Sequence, residues 1–351
     1  MKKTVYAAIL CLAAVVLQSC GIITIKPLNP PVTTSFVTIV TETEEETAEE
    51  TVRYEHIPDG LSFEGEIEKK ASEIIDGAIN RAIDVLNEYP DPGIYVIEDY
   101  DPADYPRSYD SLTELQKQYY TQMYEAASTF GQYEIDEADI PSSNPFGETV
   151  TALYAIFDDY PEISMYFSDT ERSGTYIHVP RYTLPNDYKH EEKDTERVKY
   201  EYEVYRAVFE RILQYLPDGL TNYQKCLYFA AVICYACTYD YTYGTQLDSF
   251  QAYNALVSGS AVCAGYTQAF RLLCHAAGVG CKSLQGKTIF GDDTSHIWNV
   301  VQTNLGTRYI DVTWTDNRLE NSDRDFVFSC FMMDDETLGF EGYLPDYPSL
   351  Y

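Results

Sequence analysis

The sequence predicts an α+β protein, with a mostly helical N-terminal module ahead of a core in which one helix packs on an antiparallel sheet. Three observations predict it. Apolar residues recur at helical spacing along the middle of the chain, strand-like runs crowd together after Gly278, and hydrophobic residues make up 45 % of a 351-residue chain. A chain of that length and composition can bury one core with a second module beside it.

The first residues read as an address rather than as structure. Lys2 and Lys3 precede an apolar stretch, Thr4 to Leu17, that is too short to span a bilayer comfortably, and small residues close it, so residues 1–19 are expected to be an export signal. The segment Leu17-Gln18-Ser19-Cys20 resembles the lipobox of bacterial lipoproteins. That resemblance implies lipid attachment at Cys20, a membrane contact through this anchor alone, and a place on the extracytoplasmic cell surface; ordinary secretion is the alternative. Residues 20–58 are rich in Pro, Thr and Glu and carry the run TETEEETAEET, in which like charges repel and little apolar surface is available to bury. They are expected to be a disordered acidic tether.

Residues 59–190 then form the expected helical module and residues 191–345 the core. Phe63 to Tyr89 shows helical apolar spacing and is stopped by Pro90. Ser111 with Glu114 three residues on reads as a capping box opening a second helix, and Glu148 to Tyr160 reads as a third. Asp159-Tyr160-Pro161-Glu162 then looks like a simple helix stop. Thr175 to Leu184, rich in Tyr, Ile and Val, is expected to be a strand. Thr195 to Tyr215 and Asn222 to Tyr239 are expected helices on either side of a Pro217-Asp218-Gly219 turn.

The stretch SGSAVCAGYTQAFRLLCHAAG, Ser258 to Gly278, is the centre of the argument. Ser260 is placed to cap the helix and Gly278 to end it, which puts Cys263 in the first turn, where unpaired N–H groups and the helix dipole favour a thiolate. Beyond it, Cys281 to Gly286, His296 to Gln302 and Thr307 to Thr313 read as strands. The last two flank Asn304-Leu305 as a hairpin. A two-residue turn there opposes Thr303 with Gly306, so that His296 and Asp311 share a face as diagonal neighbours. A thiol at a helix start, a histidine and a carboxylate able to orient it are the parts of a nucleophilic site.

The wording around these three residues resembles the core of the transglutaminase-like superfamily, a branch of the papain-like cysteine enzymes. The segments carrying it are AYNALVSGSAVCAGYTQAFRLLCHAAGV, SHIWNVV and RYIDVTWTD, with DFVFSCFMMDDETL trailing, about the last third of the chain. The resemblance implies Cys263 as nucleophile, His296 as general base and Asp311 as the residue that orients the imidazole. It implies a protein or peptide substrate attacked at an amide carbonyl through a thioester, with hydrolysis or crosslinking as the outcome. A non-catalytic surface binding module on the same fold is the reading from a different class. The helix before the core, YFAAVICYACTYDY, departs from related bacterial proteins in carrying Asp240 as its single acid, as expected of a more buried helix.

The remaining features point to no second chemistry. A formal net charge of -32 argues against a nucleic-acid partner, because phosphate neutralisation needs clustered Lys and Arg. Cys234-Tyr235-Ala236-Cys237 has redox-motif spacing but lies in an apolar helix, which favours buried thiols. DNRLENSDRD, Asp316 to Asp325, lacks an ordered calcium-ligand pattern and is expected to be a solvated turn. No metal and no cofactor are expected. For the oxyanion, the Cys263 N–H is one candidate donor and Tyr253 a conceivable second, with packing the alternative for Tyr253.

Overall fold

The computed structural model describes residues 64–93, 108–128, 133–160, 171–173, 176–179, 195–242, 251–289, 295–321 and 326–345. The expected export signal, the tether and Cys20 lie outside these residues, as do Pro161, Glu162, both ends of the expected strand 175–184, and residues 322–325.

The architecture is mixed helix and antiparallel sheet, as the α+β expectation requires. Helix α1 (Glu64–Glu88) is followed by α2 (Glu114–Ser128), strand β1 (Tyr133–Asp136), α3 (Pro145–Asp159), β2 (Glu171–Ser173) and β3 (Tyr176–Val179). Then come α4 (Thr195–Gln214), α5 (Asn222–Ala236), β4 (Thr238–Tyr239), a π-helical turn (Asn254–Ser258) and β5 (Ser260–Ala261). The last third carries α6 (Cys263–Ala276), β6 (Cys281–Thr288), β7 (Ser295–Thr303), β8 (Gly306–Ile310), α7 (Val312–Glu320), α8 (Asp335–Phe340) and β9 (Tyr343–Pro345).

Two sheets are antiparallel: a small one in the order β1-β3-β2 and a four-stranded one in the order β8-β7-β6-β9. Short strands β4 and β5 pair in parallel. Helix α5 is the hub. From Cys226 to Ile233 every side chain is fully buried, with α1, α6 and α7 packed around it. A helix apolar on all sides belongs inside a protein, which accounts for the missing polar residues in YFAAVICYACTYDY. One apolar cluster runs from Ala71 in α1 to Phe331, so α1 and the last third of the chain share a core. A second cluster holds Trp298, Tyr309, Cys330, Met333, Leu338 and Tyr343.

The observed elements correct several local expectations. The cap of α2 is Thr113: its Oγ1 accepts from Gln116 N at 3.3 Å and the Gln116 side chain accepts from Thr113 N at 2.9 Å, so the capping box lies two residues beyond Ser111. Helix α5 ends at Ala236, because Thr238 and Tyr239 are drawn into β4. Ser260 does not cap α6. It sits in β5 opposite Thr238, the N-cap is Val262, and no side chain caps the helix. Asp159 does more than stop a helix, since its carboxylate accepts from Ser108 N, Tyr109 N and the Tyr120 hydroxyl at 2.7, 3.0 and 2.8 Å. The first half of DNRLENSDRD is not a solvated turn: Asp316 to Glu320 are helical and Asp316 is buried.

Candidate active site

The approach to Cys263 is built from backbone. Thr238 N donates to Gly259 O at 3.0 Å and Asp240 N to Ala261 O at 2.9 Å, pinning the segment before the cysteine to the chain leaving α5. Gly259 turns the π-helical end into β5 at φ 72, and a Cβ there would lie 3.1 Å from Ala236 O, so a side chain is excluded on both counts. The chain leaves this turn extended at Val262 and starts α6 at Cys263, which is partly exposed. With no side chain capping the helix, its first-turn N–H groups remain to face the sulfur and whatever is bound beside it.

Helix α6 is locked to strand β7 by two hydrogen bonds. Thr267 Oγ1 donates to Ile297 O at 3.1 Å, and Asn299 Nδ2 donates to Thr267 O at 3.2 Å. Both ties lie one turn from Cys263 and within three residues of His296. At the far end Val279 N donates to Cys274 O at 2.8 Å and Gly278 N to His275 O at 3.0 Å, which closes the helix where Gly278 was expected to close it.

The hairpin has the expected register. Thr303 opposes Gly306 and Asn299 opposes Ile310. The strand expected through Thr313 stops at Ile310, because Asp311 caps α7 instead: its Oδ1 accepts from Trp314 N at 3.0 Å. A short polar side chain that can bond the backbone ahead competes with the ladder and wins. The parity argument survives the change. His296 Nε2 donates to Asp311 Oδ2 at 2.6 Å, fifteen residues apart in sequence.

Asp311 is held from every side. Its N–H donates to Cys330 O at 2.9 Å, and the Tyr343 hydroxyl donates to Oδ2 at 2.6 Å. The His296 ring stacks against Trp298 with centroids 6.0 Å apart and has Trp314 at its edge at 6.5 Å. Burial alone disfavours an imidazolium here. The Asp311 charge and hydrogen bond, with a further hydrogen bond and charge contribution from Cys263, outweigh it and raise His296 from 6.5 to about 10. The three residues singled out by sequence therefore meet: sulfur, ring and carboxylate form one chain of contacts.

Three other residues of this region were not singled out. Thr267 and Asn299 lie inside the words GYT and HIWN, so their positions were visible even though their bonds were not. Tyr343 had no signal; it arrives on a three-residue strand, 32 residues past Asp311. Tyr253 is a packing residue and not an oxyanion donor, since its hydroxyl donates to Glu201 Oε2 at 2.6 Å. Cys226, Cys234, Cys237, Cys274, Cys281 and Cys330 are buried free thiols, and burial pushes Cys237 up to about 12. Among the described residues no group of three or more His, Cys, Asp or Glu is arranged to hold a metal ion, and no helix is long and apolar enough to cross a membrane.

No protein-family model matches this chain, and no curated protein matches it.

Proposed function

We propose that this protein is a thiol enzyme of the transglutaminase-like type, with a papain-like core, that acts on protein or peptide amides through an acyl-thioester on Cys263. The observation that carries the proposal is the chain of contacts from Cys263 through His296 to a buried Asp311, with the sulfur at an uncapped helix start. The helix that bears the cysteine and the antiparallel sheet that bears the histidine support the same reading.

The chemistry follows from the geometry. Cys263 and His296 rest as a thiolate–imidazolium pair, and Asp311 keeps the imidazolium charged and aligned. The thiolate attacks the amide carbonyl, and the carbonyl electron pair moves onto oxygen. The Cys263 N–H faces that oxyanion, and one such donor is typically worth about 10²–10³ in rate. His296 gives its proton to the leaving amine as the C–N bond breaks, which leaves a thioester and a neutral imidazole. Water, deprotonated by that imidazole, releases the acid and restores the pair. Hydrolysis is the preferred outcome; a primary amine in place of water gives crosslinking. Residues 1–19 and Cys20 place the enzyme on the extracytoplasmic surface through a lipid anchor.

The test is a peptide library incubated with wild type and Cys263→Ala, with and without a primary amine. New termini that require Cys263 establish a peptidase or amidase, and mass gains of one amine establish crosslinking. Silence in both, together with iodoacetamide labelling of Cys263 no faster than that of the buried thiols, would leave a binding module.

A further inference from the structure

The carboxylate oxygen that receives His296 has a second donor. His296 Nε2 and the Tyr343 hydroxyl both donate to Asp311 Oδ2 at 2.6 Å, while Oδ1 is occupied by Trp314 N. Tyr343 is buried, and its ring packs edge-on against Trp298 with centroids 5.0 Å apart. Its strand reaches this spot through a close approach. β9 pairs with β6 at Thr288↔Tyr343 and Gly286↔Pro345, and a Cβ on Gly286 would lie 2.4 Å from Leu344 O and 2.8 Å from Pro345 Cα. Any other residue at 286 would push β9 away, and the phenol with it.

We propose that Tyr343 is a positioning residue of this site, whose phenol shares the Asp311 oxygen with His296 and so sets how firmly the aspartate holds the imidazolium. The inference rests on reading Cys263 and His296 as a thiol–imidazole pair. Two donors on one oxygen each take part of its charge. The phenol stabilises the carboxylate by itself and thereby weakens its pull on the imidazole proton. Burial and the Asp311 charge keep the Tyr343 phenol well above its ordinary value, so it remains a donor at every working pH. The titratable groups facing His296 are Asp311 and Cys263. Behind Asp311 stand Tyr343 and Cys330, a thiol that burial pushes to about 12 and that stays neutral.

The experiment follows the His296 ring Cε1–H resonance against pH in the full chain, assigned by its loss in His296→Gln. Tyr343→Phe keeps the packed ring and removes the donor. The midpoint of His296 should move upward by about one pH unit, the size expected for one lost hydrogen bond to a charged group. 3-Fluorotyrosine at 343 is a stronger donor of the same shape and should move it downward. No shift, or a downward shift, in a folded Tyr343→Phe protein overturns the inference; where that variant does not fold, an unmoved or upward midpoint with 3-fluorotyrosine overturns it. A wild-type midpoint near the ordinary histidine value, with Cys263 labelling no faster than the buried thiols, would instead bring down the proposed function. An elevated midpoint and fast Cys263 labelling with Tyr343→Phe unchanged would bring down this inference alone.

Discussion

Two tyrosines in this protein donate to two buried aspartates, and the pairs are in different states. Tyr343 meets Asp311 beside the His296 ring, and the Tyr266 hydroxyl donates to Asp316 where α6 packs on α7. Both carboxyl groups are 1 % exposed, so burial does not distinguish them. Asp316 has the Tyr266 phenol, with the Glu320 carboxylate nearby; burial pushes it up to about 8, and at neutral pH it keeps its proton. Asp311 has an imidazole that can take a proton, and its charge helps hold His296 at about 10. A buried carboxylate stays charged where a partner supplies the opposite charge; a phenol alone does not suffice. One pair is therefore chemical and the other an internal fastening, although both use the same two residue types.

The largest effect that can break this contrast is on turnover. Asp311→Asn should cost about 10³–10⁴ in kcat/KM on a peptide found in the library screen, because it removes the imidazolium's partner and leaves the helix cap. Asp316→Asn should stay within a few-fold of wild type. Equal losses from the two would erase the distinction between them.

A smaller effect lies in the pH dependence of stability. Asp316 is raised from 3.8 to about 8 in the folded chain, which thus binds more protons than the unfolded one, and stability is lost as pH rises across that window. His296, raised from 6.5 to about 10, contributes stability that is complete below pH 6.5 and lost as pH climbs to about 10. Melting temperatures of Asp316→Asn should therefore lack the lower part of the alkaline decline, and those of Asp311→Asn the upper part. His275, which burial lowers from 6.5 to about 4, works the other way and withdraws stability as pH falls through that range. Matching profiles for the two variants would mean that the carboxyl groups titrate alike.

The smallest effect expected is from Thr267→Val, which deletes the bond to Ile297 O and keeps the shape. Urea titration should show a loss of about 1 kcal/mol. Any added loss of Cys263 alkylation rate would measure how far the tie between α6 and β7 aligns sulfur and ring.

How much of this was legible depended on the range of the forces. Helix α1 was read to within a residue at each end, since Pro90 and apolar periodicity are local signals. The pairing of His296 with Asp311 was legible because strand parity is arithmetic on the hairpin. The end of β8 was not, because TRYIDVT has strand composition and the capping bond of Asp311 shows only when α7 is present. Ser260 was misread for a similar reason: a serine before a helix resembles a cap, whereas its actual partner, Thr238, lies in another strand. Tyr343 was out of reach, since a three-residue strand has no periodicity and its place depends on the space left by Gly286.

The double duty of Asp311 has a consequence for a chain still acquiring its shape. One oxygen starts α7 and the other steadies the imidazole, so the helix cannot unwind without disarming the histidine. A half-folded molecule in transit would carry an ordinary, sluggish thiol, and self-damage before arrival is prevented without any removable inhibitor segment.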